Sequence, residues 1–172
     1  MIFSELAKTL PDYAKDLRLN VSSLLNEQLL NDQQKWGTIV AVAHACAHKP
    51  LIDAVEEEAA AKLSPEALNA AKAAASIMAM NNIYYRFTYM ASRPDYKTMP
   101  AKLRMNVIGA PGIEKADFEL YSLAVSAVNG CGMCIDAHDK VLAQHGVGAD
   151  KIQAAVRIAA VVHAVARTLQ AL

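Results

Sequence analysis

Apolar residues recur at intervals of three and four positions along almost the whole chain, whereas no segment shows the strict alternation typical of a half-buried strand. Much of the hydrophobic fraction of 54% is alanine, the strongest helix former. A chain of 172 residues can bury the core of one domain but is short for two. The sequence therefore predicts a single all-α domain, a helical bundle spanning residues 1–172.

The expected helix boundaries follow from capping and stop signals. Asn31 with Gln34 resembles a capping box, and Ser64 followed by Pro65 is typical of a helix start. Glycine and proline interrupt the periodic pattern between segments. We expect helices over about 3–9, 12–28, 32–47, 51–61, 66–91, 101–108, 114–128, 131–145 and 150–170, with a linker at 92–100.

A weak internal repeat relates the two halves of the chain. Residues 36–46 align with residues 121–131, so that an aromatic residue opens both segments and a cysteine closes both. One helical unit used twice explains this similarity. We predict a degenerate first unit over residues 32–91 and an active second unit over residues 101–171. The first unit lacks the second cysteine and the histidine that follow in the second unit.

The charge distribution excludes several classes of partner. The formal net charge is +0 and the pI is near 7.0, so we expect no basic surface that attracts nucleic acid or an anionic membrane. Charged residues near the N-terminus argue against a secretion signal, and no apolar run approaches the roughly 20 residues of a membrane span. We therefore expect a cytoplasmic protein with no nucleic acid and no membrane among its partners.

The segment NGCGMCIDAHDK, residues 129–140, concentrates the reactive groups of the chain. On a helix, Cys134 follows Cys131 by about one turn and His138 follows Cys134 by another, so both sulfurs and the imidazole share one face. The preceding Asn-Gly pair favours a left-handed helix end, after which unpaired amides and the helix dipole favour a thiolate. A redox dithiol, a metal site and sulfur packed in the core all fit this pattern.

Two thiols beside a base suit the reduction of peroxides. A thiolate can attack the O–O bond, and the resulting sulfenic acid can condense with a second thiol to a disulfide. His138 is the only side chain of the motif that titrates near neutral pH and can protonate the leaving group. Glu119 is the best candidate to orient it, because the two residues lie about 16 Å and 12 Å from the helix break at about 1.5 Å per residue. We expect Glu119 and His138 to be neighbours.

A structural zinc site is the main rival hypothesis. Cys131, Cys134, His138 and His145 are potential ligands. Along one straight helix, however, these side chains spread over about 20 Å, so at most three could bind one ion. We expect no metal. The alternative function is a non-enzymatic helical module that binds zinc or senses oxidants through its thiols.

The segment FELYSLAVSAVNGCGMCIDAH, residues 118–138, resembles the E-x11-C-x-x-C-x3-H signature of the alkylhydroperoxidase D (AhpD) family, within the carboxymuconolactone decarboxylase-like superfamily. The length, the helical pattern, the LRMNVIGAPG segment and the internal repeat extend this resemblance over the whole chain. The resemblance implies an AhpD-like helical bundle that acts as a thiol-dependent peroxidase and disulfide reductase in a bacterial antioxidant system.

The resemblance also implies a role for each residue of the signature. Cys134 would attack the peroxide as the nucleophile, Cys131 would resolve the product as a disulfide, and Glu119 and His138 would form a proton relay. Dihydrolipoamide on a lipoylated acyltransferase would donate the electrons, with no tightly bound cofactor. The enzyme would also reduce a partner peroxiredoxin of the alkyl hydroperoxide reductase C (AhpC) type, and it would assemble as a homotrimer or larger oligomer.

Two features complicate these roles. The helix dipole by itself favours Cys131 as the more reactive thiol, whereas the family pattern assigns the attack to Cys134, which is one turn from His138. Well-known members also carry a histidine directly before the second cysteine, where this chain has Met133. Because methionine cannot relay a proton, we expect water to replace that step or the step to be absent, so that peroxidase activity is weaker than dithiol exchange.

Overall fold

The computed structural model describes all residues from Met1 to Leu172 and is all-helical. Helices make up 74% of the chain, and no strand is present. The nine α-helices are α1 Phe3–Lys8, α2 Lys15–Leu25, α3 Asp32–Cys46, α4 Lys49–Ala59, α5 Pro65–Met90, α6 Asp95–Thr98, α7 Lys115–Val128, α8 Gly132–Gln144 and α9 Ala149–Gln170. Short 3₁₀ turns cover Asp12–Ala14 and Asn106–Ile108. The prediction of an all-α bundle is confirmed.

The capping signals identify two helix starts correctly. Asn31 accepts the backbone N–H of Gln34, and the Gln34 side chain accepts the backbone N–H of Asn31, so the capping box before α3 is complete. Ser64 Oγ accepts the backbone N–H of Ala67 at 3.1 Å, with Pro65 opening α5. Local sequence is sufficient at these positions because the cap and its partners lie within one turn.

The predicted helix over residues 101–108 is wrong. Only the 3₁₀ turn Asn106–Ile108 forms there, and Lys102 adopts a left-handed conformation with φ 53° that no α-helix contains. The run lies between a proline at 100 and a glycine at 109, too short to nucleate a helix without packing. The expected linker at 92–100 instead contains the single-turn helix α6.

The core lies where α3, α5, α7 and α9 pack together. α3 contacts each of the other three helices, and its central residues, from Lys35 to Ala43, are all buried. α8 packs against α7 and α5 at one side of this core. The residues after the Asn-Gly pair are therefore held between the helix that precedes them and α5. The division into two duplicated units stays a prediction.

α9 is long and apolar enough to cross a membrane by length and composition, with a mean hydropathy of 1.3. We expected no such helix from the sequence. Its buried residues, among them Ala155, Ile158 and Val162, belong to the core and face α3 and α7. The core helix of a bundle meets the same criterion, so this helix is weak evidence for a membrane.

Gly37 allows α3 and α7 to approach closely. A Cβ atom at this position would lie 2.1 Å from Tyr121 Cζ, and Tyr121 is fully buried with its hydroxyl donating to Gln33 O at 2.8 Å. We therefore expect Gly37→Ala to lower the free energy of unfolding by about 3 kcal/mol, because the ring must shift in a close-packed core. Urea unfolding measures this. Gly132→Ala, with nothing within 4 Å of the added Cβ, is the control that should not lower stability.

Candidate active site

The break between α7 and α8 places Cys131 at a helix start. Gly130 has φ 68°, the left-handed conformation expected from the Asn-Gly pair, and the Cys131 N–H donates back to Ser126 O at 3.1 Å. Cys131 is the N-cap of α8, and its sulfur accepts the backbone N–H of Cys134 at 3.3 Å. The sulfur of Cys131 therefore lies where a negative charge is stabilised by the helix amides.

Polar side chains from α5 hold this break in place. Asn82 Nδ2 donates to Ser126 Oγ at 2.9 Å, and Asn129 Nδ2 donates to Asn82 Oδ1 at 3.0 Å. The Arg86 guanidinium donates to the carbonyl oxygen of Asn129. Asn82 is only 1% exposed, so its paired amide fixes α5 against the end of α7. No feature of the sequence had indicated these contacts.

Cys131 and Cys134 are joined by a disulfide. Cys131 is completely buried, whereas Cys134 retains 6% exposure and lines a cavity of about 170 Å³. His138 lines the same cavity. Of the two sulfurs, therefore, the one at position 134 faces the space that a small molecule can enter.

Glu119 and His138 are neighbours, as expected. His138 Nδ1 lies 2.6 Å from Glu119 Oε2, and Lys115 Nζ lies 2.7 Å from Glu119 Oε1. Burial alone would raise the pKa of Glu119, but the hydrogen bonds and charges of His138 and Lys115 outweigh it, so the pKa lies below its ordinary value. The carboxylate is thus ionised at neutral pH and orients the imidazole.

The other ring nitrogen of His138 has an unexpected partner. Nε2 lies 3.2 Å from Met78 Sδ on α5. A thioether has no hydrogen to give, so any hydrogen bond in this contact is donated by Nε2. The ring of His138 is thus held between Glu119 on α7 and Met78 on α5, at the cavity that Cys134 also lines.

The buried carboxylate makes stability depend on pH. Because the folded state lowers the pKa of Glu119, its stabilisation is present above the ordinary carboxyl value of 4.5 and is lost as the pH falls further. We expect Glu119→Gln to lower the free energy of unfolding by about 1–3 kcal/mol at pH 7. The difference in stability between the variant and the wild type should shrink as the pH falls below 4.5. Urea unfolding from pH 7 to pH 3 tests this. Asp136→Asn, at an exposed position of α8, should show no such convergence.

The structure does not assemble the proposed zinc ligands. No three His, Cys, Asp or Glu side chains converge on a position that could hold a metal ion. His145 is the C-cap residue of α8, at the opposite end from the disulfide. His145 therefore lies too far along the helix to share an ion with the two cysteines.

Some contacts of functional interest were missed from the sequence. Lys115 could have been identified, because it precedes Glu119 by four residues on one helix face. Met78 could not, because only the packing of α5 against α8 brings it to His138. A second imidazole–carboxylate pair joins His44 Nε2 to Glu56 Oε1 at 2.6 Å, away from the disulfide.

The third cysteine is in a different environment. Cys46 is half-buried at the end of α3, and its sulfur lies 3.7 Å from His163 Nδ1. Burial raises the pKa of the Cys46 thiol to about 11, with a small opposing effect from Arg167. Cys46 is therefore protonated at neutral pH and has no second sulfur beside it.

Comparisons with known proteins cover nearly the whole chain. The carboxymuconolactone decarboxylase family matches residues 94–172. Alkyl hydroperoxide reductase AhpD of Rhizorhabdus wittichii is 64% identical over 166 residues, which is 96% of this chain and 96% of the relative. The protein of the same name from Hyphomonas neptunium is 62% identical, over 97% of this chain and 93% of its own length. The one from Maricaulis maris is 56% identical, over 99% of this chain and 99% of its own length. Because similarity this high extends over nearly the full length, the chain belongs to the AhpD family.

Proposed function

We propose that this protein is a thiol-dependent alkyl hydroperoxide reductase, in which Cys134 is the peroxidatic nucleophile, Cys131 the resolving thiol, and Glu119 and His138 a proton relay. One observation carries the proposal: the Cys131–Cys134 disulfide and His138 meet at one cavity, and Nδ1 of His138 is hydrogen-bonded to the ionised Glu119. The name of the relatives, alkyl hydroperoxide reductase, supports the same reaction.

The oxidative half of the reaction uses both sulfurs. The Cys134 thiolate attacks the terminal oxygen of ROOH, so that an S–O bond forms while the O–O bond breaks. His138 gives a proton to the departing alkoxide, which leaves as ROH. The Cys131 thiol then attacks the sulfenic sulfur of Cys134, its proton joins the departing hydroxide, and water leaves. One peroxide oxidises two thiols to the disulfide.

The reductive half restores the dithiol at the expense of dihydrolipoamide. One lipoyl sulfur attacks Cys134, the sulfur at the cavity, and Cys131 leaves as a thiolate that accepts the Cys134 N–H. The second lipoyl thiol then displaces Cys134, so that lipoamide forms. This arrangement also reconciles the helix dipole with the family pattern, because the amides stabilise the leaving sulfur while the accessible sulfur reacts.

The partners and the assembly are part of the proposal. We propose a lipoylated acyltransferase as the electron donor, an AhpC-type peroxiredoxin as an electron acceptor, and the reducing cytoplasm as the compartment, since dithiol chemistry requires reduced cysteines. We also propose a homotrimer. An exposed apolar face of α5, formed by Ile83, Phe87 and Met90, supports self-association.

Titration of the fully reduced protein with tert-butyl hydroperoxide tests the proposed function. We expect one equivalent to consume two thiols, to form the Cys131–Cys134 disulfide seen by peptide mass spectrometry, and to be reversed by dihydrolipoamide. Retention of both thiols after the addition would contradict the proposal. About one tightly held zinc ion per purified chain would instead support the non-enzymatic module.

A further inference from the structure

Lys115 is a second partner of the Glu119 carboxylate. Its Nζ lies 2.7 Å from Glu119 Oε1, whereas His138 Nδ1 lies 2.6 Å from Oε2 of the same group. Charge-assisted hydrogen bonds to both oxygens restrict the rotation of the carboxylate about its last carbon–carbon bond. The ammonium group therefore helps to keep Oε2 directed at the imidazole.

The chain before α7 fixes the ammonium group from another side. Lys115 Nζ also donates to the carbonyl oxygen of Ile108, at 2.6 Å. Ile108 ends the 3₁₀ turn Asn106–Ile108, in the segment where the sequence predicted a helix. The last carbonyl groups of a helical turn have no partner within that turn, so they are available to a side chain. The ammonium group is thus held between this turn and α7.

Burial decides how much the lysine matters to the carboxylate. The Glu119 side chain is only 3% exposed, so water cannot take the place of the ammonium group. Without the lysine, only His138 would oppose the desolvation that favours the neutral carboxyl group. Glu56, which binds His44 and Lys72, is 28% exposed, and solvent there screens the loss of a charged partner.

We propose that Lys115 is a positioning residue of the relay, which keeps Glu119 ionised and directed at His138 while Cys134 is oxidised. The inference rests on the proposed function and adds to it a group that does not line the cavity of the reacting sulfur. The charged partners of Glu119 are this lysine from α7 and His138 from α8, whereas α5 places the uncharged Met78 beside the imidazole. The lysine transfers no proton itself.

Removal of the ammonium group tests this role. We expect Lys115→Met to slow single-turnover oxidation of the reduced protein by tert-butyl hydroperoxide about tenfold at pH 7, the low end for a group that orients a reacting side chain. Because burial raises the pKa of Glu119 and only His138 then opposes it, the carboxylate takes up a proton at a higher pH than in the wild type. The ratio of the wild-type rate to the variant rate should therefore grow about tenfold further from pH 8 to pH 5.

Three controls exclude other effects of the lost charge. Lys115→Arg should stay within about twofold of the wild type at every pH, because a guanidinium also binds a carboxylate. Lys72→Met removes the corresponding cation beside Glu56 and should leave the rate unchanged. The thiolate absorbance at 240 nm should follow the same pH curve in Lys115→Met as in the wild type. A rate ratio that is constant with pH, or that follows this absorbance, would overturn the proposal.

A double-mutant cycle separates positioning from a general loss of structure. If Lys115 acts through Glu119, then Lys115→Met should cause no further loss of rate in protein that already carries Glu119→Gln, because no carboxylate is left to position. Losses that multiply in the double variant would mean that the lysine acts elsewhere, and the inference would be wrong. Circular dichroism of all four proteins identifies a temperature at which each is folded.

A measurement without peroxide distinguishes failure of the inference from failure of the proposed function. The ¹³C signal of the Glu119 carboxyl group, assigned by its loss in Glu119→Gln, reports the protonation of this group in the disulfide form. We expect it to stay at the ionised position from pH 8 to pH 5 in the wild type and to move toward the protonated position in Lys115→Met. If the thiols of every variant resist peroxide yet this difference is seen, the proposed function fails and the role of Lys115 stands. Identical signals in the two proteins would overturn the inference.

Discussion

Replacement of Cys134 by serine is expected to reduce peroxide consumption at least about a thousandfold, to the rate of the reductant alone, because a hydroxyl is not ionised at neutral pH and cannot attack the O–O bond. Cys134 is the sulfur that faces the cavity with His138, and Cys131 is buried behind it. The measurement is hydroperoxide consumption with excess dihydrolipoamide, for the wild type and the variant at equal concentration.

The other two cysteines provide the matched comparison. Cys131→Ser should still react once with a peroxide but stop at the sulfenic acid of Cys134, which dimedone traps as an adduct visible by mass spectrometry. Cys46→Ser should retain full turnover, because Cys46 lies at the end of α3 beside His163 and does not line the cavity that Cys134 and His138 share. Equal loss of activity in Cys46→Ser, or turnover in Cys134→Ser, would show that Cys134 is not the attacking sulfur.

Replacement of His138 by glutamine should lower the rate of Cys134 oxidation by roughly 10²–10⁴-fold, the range typical of a lost proton donor. Glutamine can still bond to Glu119 but cannot transfer a proton at neutral pH. The rate constant comes from single-turnover oxidation of the reduced variant, and circular dichroism at equal temperature verifies that the bundle is intact.

His44 provides a control, because it forms a similar imidazole–carboxylate pair without a neighbouring disulfide. Like His138, it bonds a glutamate at 2.6 Å, and the partner Glu56 also binds a lysine, Lys72, at 2.8 Å. No sulfur belongs to that group, so His44→Gln should leave Cys134 oxidation unchanged. A similar loss in both variants would mean that the substitution acts through stability and not through proton transfer, and the relay would have to be abandoned.

The sequence was sufficient for features that depend on neighbours along one helix. Periodicity predicted the bundle, the Asn-Gly pair predicted the left-handed end at Gly130, and helical spacing predicted that Cys131, Cys134 and His138 lie on one face. The prediction failed where the local signal was misleading. The run at 101–108 has the composition of a helix, but a helix of that length is marginal without a partner surface.

Contacts between helices were predicted only where one short break joins the two helices. Glu119 was predicted as the partner of His138 because a single break separates their helices, which limits how the two can pack. Met78 and Asn81 come from α5, distant in sequence, and their approach to α8 depends on how every core side chain of the bundle packs. The spacing of the motif could not indicate them.

What the sequence by itself determined is the reactive set, since the groups of the motif share one helix face whatever the rest of the molecule does. Only the tertiary structure decided which sulfur faces a cavity and which side chain lies on the far side of the imidazole. The physical reason is that spacing along a helix fixes neighbours within about one turn, whereas burial and cavity shape arise from the packing of distant helices.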